Sequence, residues 1–162
     1  MSLITAVLTI FSNRSSEVRA ANRTIILLEF KELGKAIHET LALSNLQLKV
    51  LNEATHPAAY QKAEDAAKKL KVLRHKVRYS LWGLDNGLRE LSRIPDWIGH
   101  AKKSPNSAKK LHHLAHLLGQ ALDNAIRTSY ENGAQPGFRC RMKVNRRTSK
   151  LRKYYEQFSK LK

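Results

Sequence analysis

An all-α fold, a bundle of about four helices with one long antiparallel hairpin, is what this chain predicts. Three observations lead there. Apolar residues recur at three- and four-residue steps over long stretches. The interruptions fall at Pro, Gly, Ser and Asn. No run alternates with the period of a strand. The 162 residues are 42% hydrophobic and 27% charged. That size and balance suit one domain with its own core rather than a disordered chain.

The chain opens on Leu3-Ile4-Thr5-Ala6-Val7-Leu8-Thr9-Ile10-Phe11. The run is far short of the roughly 20 apolar residues a membrane span needs. It lacks the basic start and small-residue cleavage site of a secretory signal. It reads as a core element, with docking to a partner or to a second copy as the functional alternative. Residues 1–14 form this N-terminal segment, 15–132 the main bundle and 137–162 a basic C-terminal helix.

Ser15 or Ser16 suits the N-cap of a first helix running toward Asn52, with Glu17 in its first turn. Its stripe holds Ile26, Phe30, Leu33, Ile37, Leu41, Leu48 and Leu51, while Leu28, Leu43 and Leu46 lie off it. That surplus points to more than one neighbour. Pro57 opens a second helix, where a missing N–H costs nothing. Ala63, Ala67, Leu70, Leu73, Val77, Leu81, Leu84, Leu88 and Leu91 form a coiled-coil-like seam along it. The second helix is expected to run unbroken to Pro95, matching the first as a hairpin.

Asp96 to Lys103 is read as a short helical turn, and Ser104-Pro105-Asn106-Ser107 as a break with capping residues. A third long helix carries Leu111, Leu114, Ala115, Leu118, Leu122, Ala125 and Ile126 on one face, and Asn132-Gly133 ends it. A loop around Pro136 and Gly137 leads to the last helix, with Val144, Leu151, Tyr155 and Phe158 on its apolar side.

Charge is the main functional signal. Thirty Lys and Arg stand against 13 Asp and Glu, for a net charge of +17. Such an excess opposes compaction, and a polyanionic partner relieves it. Residues 1–53 are near neutral, and from Gly137 onward Glu156 is the only carboxylate side chain. On the last helix Arg146, Lys150, Lys153 and Lys160 oppose the apolar side, and Arg139, Arg141, Lys143, Arg147 and Arg152 thicken the patch. The second helix adds Lys68, Lys71, Arg74, His75 and Arg78. If the two helices adjoin, they form one positive surface. DNA or RNA held by its phosphates is the expected ligand. Tyr154, Tyr155 and Phe158 interleave with the cations as aromatics able to stack on a base or pack inward. A basic amphipathic helix also fits an anionic membrane surface, if its apolar side is free.

Other constellations are weaker. His112 and His116 point the same way on the third helix but lack further ligands, so no metal is expected. Glu53 and His56 have the spacing of carboxylate-bridged metal bundles, without a second copy. Cys140 is the only cysteine, which excludes an intrachain disulfide and fits a reduced, cytoplasmic protein. No glycine loop, dinucleotide fingerprint or nucleophile motif is present, so no cofactor is expected. Gly83 and Gly87 form a small-residue pair suited to a close helix crossing.

Arg93 and His100, with six residues between them, resemble the arginine–histidine pair of the helical-bundle HEPN ribonucleases. The resemblance covers these two positions, with Ile94 where that family usually carries a polar residue, and Pro95 following. It implies His100 as general base on a ribose hydroxyl and Arg93 as the group stabilising charge on phosphorus. Three functions follow: a non-enzymatic nucleic-acid binder, a structural or interaction subunit of an assembly, and a ribonuclease.

Overall fold

The computed structural model describes residues 28–77, 81, 83–132 and 135–160. The apolar segment Leu3–Phe11, the caps Ser15 and Ser16, Ile26, Arg78, Trp82 and Gly133 lie outside the described residues. Among the described residues the chain is all helical, with six helices and no strand. They are α1 over residues 28–49, α2 (His56–Lys76), α3 (Asp85–Leu91), α4 (Ile94–His100), α5 (Pro105–Asn132) and α6 (Phe138–Lys160).

The expected count of about four helices is thus corrected to six, and the long second helix is the reason. It stops at Lys76, and the stretch to Leu91 is not continuous helix. Gly83 sits at φ +87°, a left-handed conformation that costs glycine nothing and breaks a helix. The second helix of the expected hairpin is therefore shorter than its apolar seam, and the seam continues into α3. The seam residues are nevertheless buried as their spacing demands: Leu70, Val77, Leu81, Leu84, Leu88 and Leu91 all face the core. The described seam residues on both sides of Gly83 point inward alike.

Pro57 stands in the first turn of α2, and Arg74, His75 and Lys76 occupy its last turn, where cations offset the partial negative charge of the exposed carbonyls. Pro95 likewise opens α4, so the chain turns at Ser92 and Arg93 and restarts as a helix. Its position ends one helix and begins the next, since proline's missing N–H is harmless only in a first turn.

The core is a continuous apolar cluster shared by all six helices, including Phe30, Leu33, Ile37, Leu70, Leu88, Ile98, Leu118, Leu122, Val144 and Leu151. Each fully buried leucine or isoleucine contributes about 1.5–3 kcal/mol relative to exposure. Leu28 and Leu46, off the α1 stripe, are exposed. α5 spans about 42 Å, at 1.5 Å rise for each of its 28 residues. α6 returns along it, with the Lys110 ammonium over the Tyr154 ring, 4.6 Å from its centroid. α3 crosses α6 at Gly87, where a Cβ would stand 2.8 Å from Val144 Cγ1 and 3.2 Å from Leu122 Cδ2. A glycine there lets the two backbones approach more closely than any side chain allows. α1 lies against α5 by a similar device, with Leu41 and Ile37 seated over Gly119.

Several polar groups brought inside are tied down. Gln47 Nε2 donates to the Pro95 carbonyl at 2.9 Å, joining α1 to α4. The Tyr60 hydroxyl donates to Asp96 Oδ1 at 2.7 Å, joining α2 to α4, and this bond and burial push its pKa up to about 12. Thr40, Ser129 and Thr148 return their hydroxyls to carbonyls one turn back on their own helices.

His112 is half-buried between α1 and α5, and its Nε2–H donates to the Leu41 carbonyl at 3.3 Å. Burial outweighs that bond and lowers its pKa below the ordinary 6.5. The folded state therefore takes up the proton less readily than the unfolded chain. The associated stability is complete above pH 6.5 and is lost as pH falls from there through the folded value. His112→Gln, which keeps an N–H donor but cannot titrate, is expected to flatten the decline in unfolding free energy between pH 7 and 5. Urea unfolding of both proteins across that range checks it.

Candidate nucleic-acid interface

The twelve cations singled out from the sequence fall into two groups. On α6, positions 139, 143, 146, 150 and 153 alternate four and three residues apart, so they share one helix face. All five side chains are exposed. Val144, Thr148 and Leu151 occupy the opposite face and are buried. The stripe is thus a direct consequence of amphipathicity: three buried side chains dock the helix, and the far side turns outward. Arg139 to Lys153 covers about 21 Å, with a cation at every turn.

Lys143, Arg146, Arg147 and Lys150 surround a hollow of about 480 Å³ with Met142 on its wall. Among the described residues no carboxylate lines it, and none of these four cations makes an ion pair. Four unneutralised cations around one concavity leave a field that attracts an anion.

Arg141 and Arg152 leave this face. Arg141 is half-buried, its side chain lying against Gly83, where a Cβ would stand 2.7 Å from Arg141 Cδ. Arg152 turns toward α3. Its Nη2 is 3.7 Å from Glu90 Oε1 and its Nε 3.5 Å from Glu156 Oε1.

The α2 cations behave differently. Lys68 Nζ is 2.9 Å from Glu64 Oε1 and 3.6 Å from Asp65 Oδ1, and the Glu64 bond raises its pKa. Arg74 Nε lies 3.4 Å from Asp85 Oδ1, an ion pair that ties the end of α2 to the start of α3. Lys71 is exposed, and Arg78 lies outside the described residues. Lys68, Lys71 and Arg74 share a hollow of about 370 Å³ with Arg89 and Arg93, and Glu64 and Asp96 stand among them. α3 packs against both α2 and α6. The α2 cations therefore reach α6 across α3, over a surface of mixed sign.

One α3 residue was not singled out from the sequence. Glu90 is fully buried, yet charged partners converge on it. Arg89 Nη2 donates to Oε1 at 3.2 Å, Arg93 Nη1 donates to Oε2 at 3.2 Å, and Arg152 approaches Oε1. A buried carboxylate is tolerable only when paired in this way. Its sequence signal was the apolar seam itself: Glu90 stands between Leu88 and Leu91, at a position the packing covers.

Beside this knot, a hollow of about 300 Å³ is lined by Glu90, Arg93, Trp97, His100, Arg152 and Tyr155, with Asp96 and Glu156 at its edge. Arg93 and His100 stand seven residues apart, hence on one face of α4, and both open onto it. His100 Nδ1 hydrogen-bonds the Tyr155 hydroxyl at 3.0 Å. The Tyr155 ring stacks on Trp97 with centroids 4.3 Å apart and planes 9° from parallel. The aromatics that the sequence offered for base stacking are thus engaged within the fold: Tyr155 on Trp97, Tyr154 under Lys110, and Phe158 against the core.

His112 bonds to Leu41 and His116 Nε2 to Gln120, and among the described residues no three metal-ligating side chains gather. No described helix is long and apolar enough to cross a membrane. Comparison with protein-family models, with curated proteins and with solved structures finds no match to this chain.

Glu90→Ala strands three arginines around a cavity. It is expected to cost roughly 2–4 kcal/mol, toward the low end of the buried-pair range because the arginine partners are partly exposed. Denaturant unfolding measures it. A loss under 1 kcal/mol would remove Glu90 as an anchor.

Proposed function

We propose that this chain is a non-enzymatic nucleic-acid-binding protein that contacts the phosphate backbone through the outer face of α6. One observation carries the reading: Arg139, Lys143, Arg146, Lys150 and Lys153 form an exposed stripe that meets no described carboxylate. Other cations of the molecule, Lys68, Arg74, Arg93 and Arg152, are matched to acids of the fold. The stripe gathers five such cations on one helix face where an external anion can meet them together, and the net charge of +17 favours that meeting. With no motif that enters a groove to read base edges, little sequence preference is expected.

Neutralising about five phosphates gives a log–log salt slope near −3.5 on a single strand and near −4.5 on a duplex. Fluorescence anisotropy from 50 to 300 mM salt checks this. A slope near zero sinks the reading.

A second reading, an RNA-cleaving site, is favoured by the shared hollow of Arg93 and His100 and by the Tyr155 hydroxyl that orients the imidazole. In it, His100 takes the proton of a ribose 2′-hydroxyl as that oxygen attacks phosphorus. Arg93 stabilises the added charge, and the 5′-oxygen departs. Here His100→Ala abolishes cleavage of a defined RNA while leaving binding through α6 intact. An unaltered digestion pattern discards the site. An interaction subunit, docked through the exposed Leu28 and Leu46, stands as the structural alternative.

A further inference from the structure

We infer that the α6 surface is built for single-stranded nucleic acid, with Phe138 as a stacking platform at one end of the phosphate-binding stripe. The inference rests on the proposed nucleic-acid reading and specifies its ligand. Phe138 is 68% exposed and Met142 56%, which makes them the exposed large hydrophobics of α6 among the described residues. They are one turn apart, so they adjoin on the helix surface. Both border the cationic stripe. Arg139 follows Phe138 in the chain, and Met142 shares its hollow with Lys143, Arg146, Arg147 and Lys150.

An exposed aromatic ring costs solubility and contributes nothing to the core. Every other aromatic side chain described on α6 is engaged inward, against Trp97, Lys110 or the core. Phe138 stands apart from that pattern at the first turn of the helix.

The combination separates two classes of nucleic acid. In a duplex the base faces are covered by their neighbours, and a surface ring on a helix gains nothing from them. In a single strand every base exposes a π-face, and stacking on an aromatic side chain adds affinity regardless of sequence. The cations then follow the strand. Successive members of the stripe are separated by about 5 Å along the helix, against the few ångströms per nucleotide of an extended or stacked strand. A ring and an adjoining thioether flank the row of cations at its N-terminal end, a platform beside a track.

The test uses the full chain and three probes: a labelled 12-nucleotide single-stranded oligonucleotide, the matching duplex, and vesicles containing anionic phospholipid. Phe138→Ala and Met142→Ala remove only exposed surface, so both should fold, and circular dichroism verifies this. Arg146→Ala/Lys150→Ala supplies the electrostatic control. At equal salt the wild type should bind the single strand more tightly than the duplex. Phe138→Ala should weaken single-strand binding about fivefold or more. It should leave duplex binding and both salt slopes unchanged. The double cation variant should lower the slope on both nucleic acids.

Tighter binding to the duplex, or an equal loss on both forms with Phe138→Ala, overturns the single-strand assignment and leaves the phosphate-binding reading standing. Failure to bind either nucleic acid removes that reading too. Vesicle binding that exceeds oligonucleotide binding and depends on Phe138 overturns the assignment in favour of a membrane contact.

Discussion

A carboxylate with no solvent to stabilise it sets the arrangement of this surface. Glu90 is fully buried on α3 and has to be met by positive charge. Arg89 and Arg93 meet it from its own segment, and Arg152 reaches it from α6. The last contact sets the rotation of α6 about its axis, together with Val144, Thr148 and Leu151 packed beneath it. Once that face is held inward, residues 139, 143, 146, 150 and 153 have to point out. The exposed stripe is the geometric complement of the buried anchor.

The same contact sorts the cations. A chain with 30 basic and 13 acidic side chains cannot neutralise itself. Three of its carboxylates stand where helices meet: Asp85 with Arg74 between α3 and α2, Glu39 with Lys69 between α1 and α2, Glu90 with Arg152 between α3 and α6. The Lys69–Glu39 pair is exposed and worth little by itself, whereas Arg74 and Glu90 are largely or fully buried in theirs. Together they consume the acids at the helix junctions. The outer face of α6 is left without any, so positive potential accumulates there. The proposed ligand class follows from where the acids are spent.

Much of the fold was legible in the residues. Three- and four-residue spacing located the buried leucines of α2, α3, α5 and α6, and Pro57 marked a helix start, while Pro105, Asn106 and Ser107, read as a break, open α5. The break after Lys76 was not legible, because helical spacing records which residues face inward and says nothing about whether the axis stays straight. Leu81, Leu84 and Leu88 keep their phase across a turn at Gly83. The basic character of the last helix was equally plain. Its division was hidden: Arg141 and Arg152 look the same as Arg146 in sequence, yet one packs on Gly83 and the other pairs with Glu90. The aromatics of the last helix took the inward of the two placements their spacing allowed. Tyr154, Tyr155 and Phe158 lie on the apolar side, while Phe138, the first residue of α6, faces outward.

Composition and periodicity by themselves determined that the chain is helical, that it has one extended apolar core, and that its positive charge collects toward the C-terminus. These are properties of local spacing and of summed charge, which need no knowledge of neighbours. Tertiary structure alone decided which cations are neutralised and which face solvent, and that Arg93 meets His100 and Tyr155 around one hollow. Those outcomes depend on contacts between residues as far apart as Glu90 and Arg152. Packing selects such contacts globally, and no short stretch of sequence encodes them.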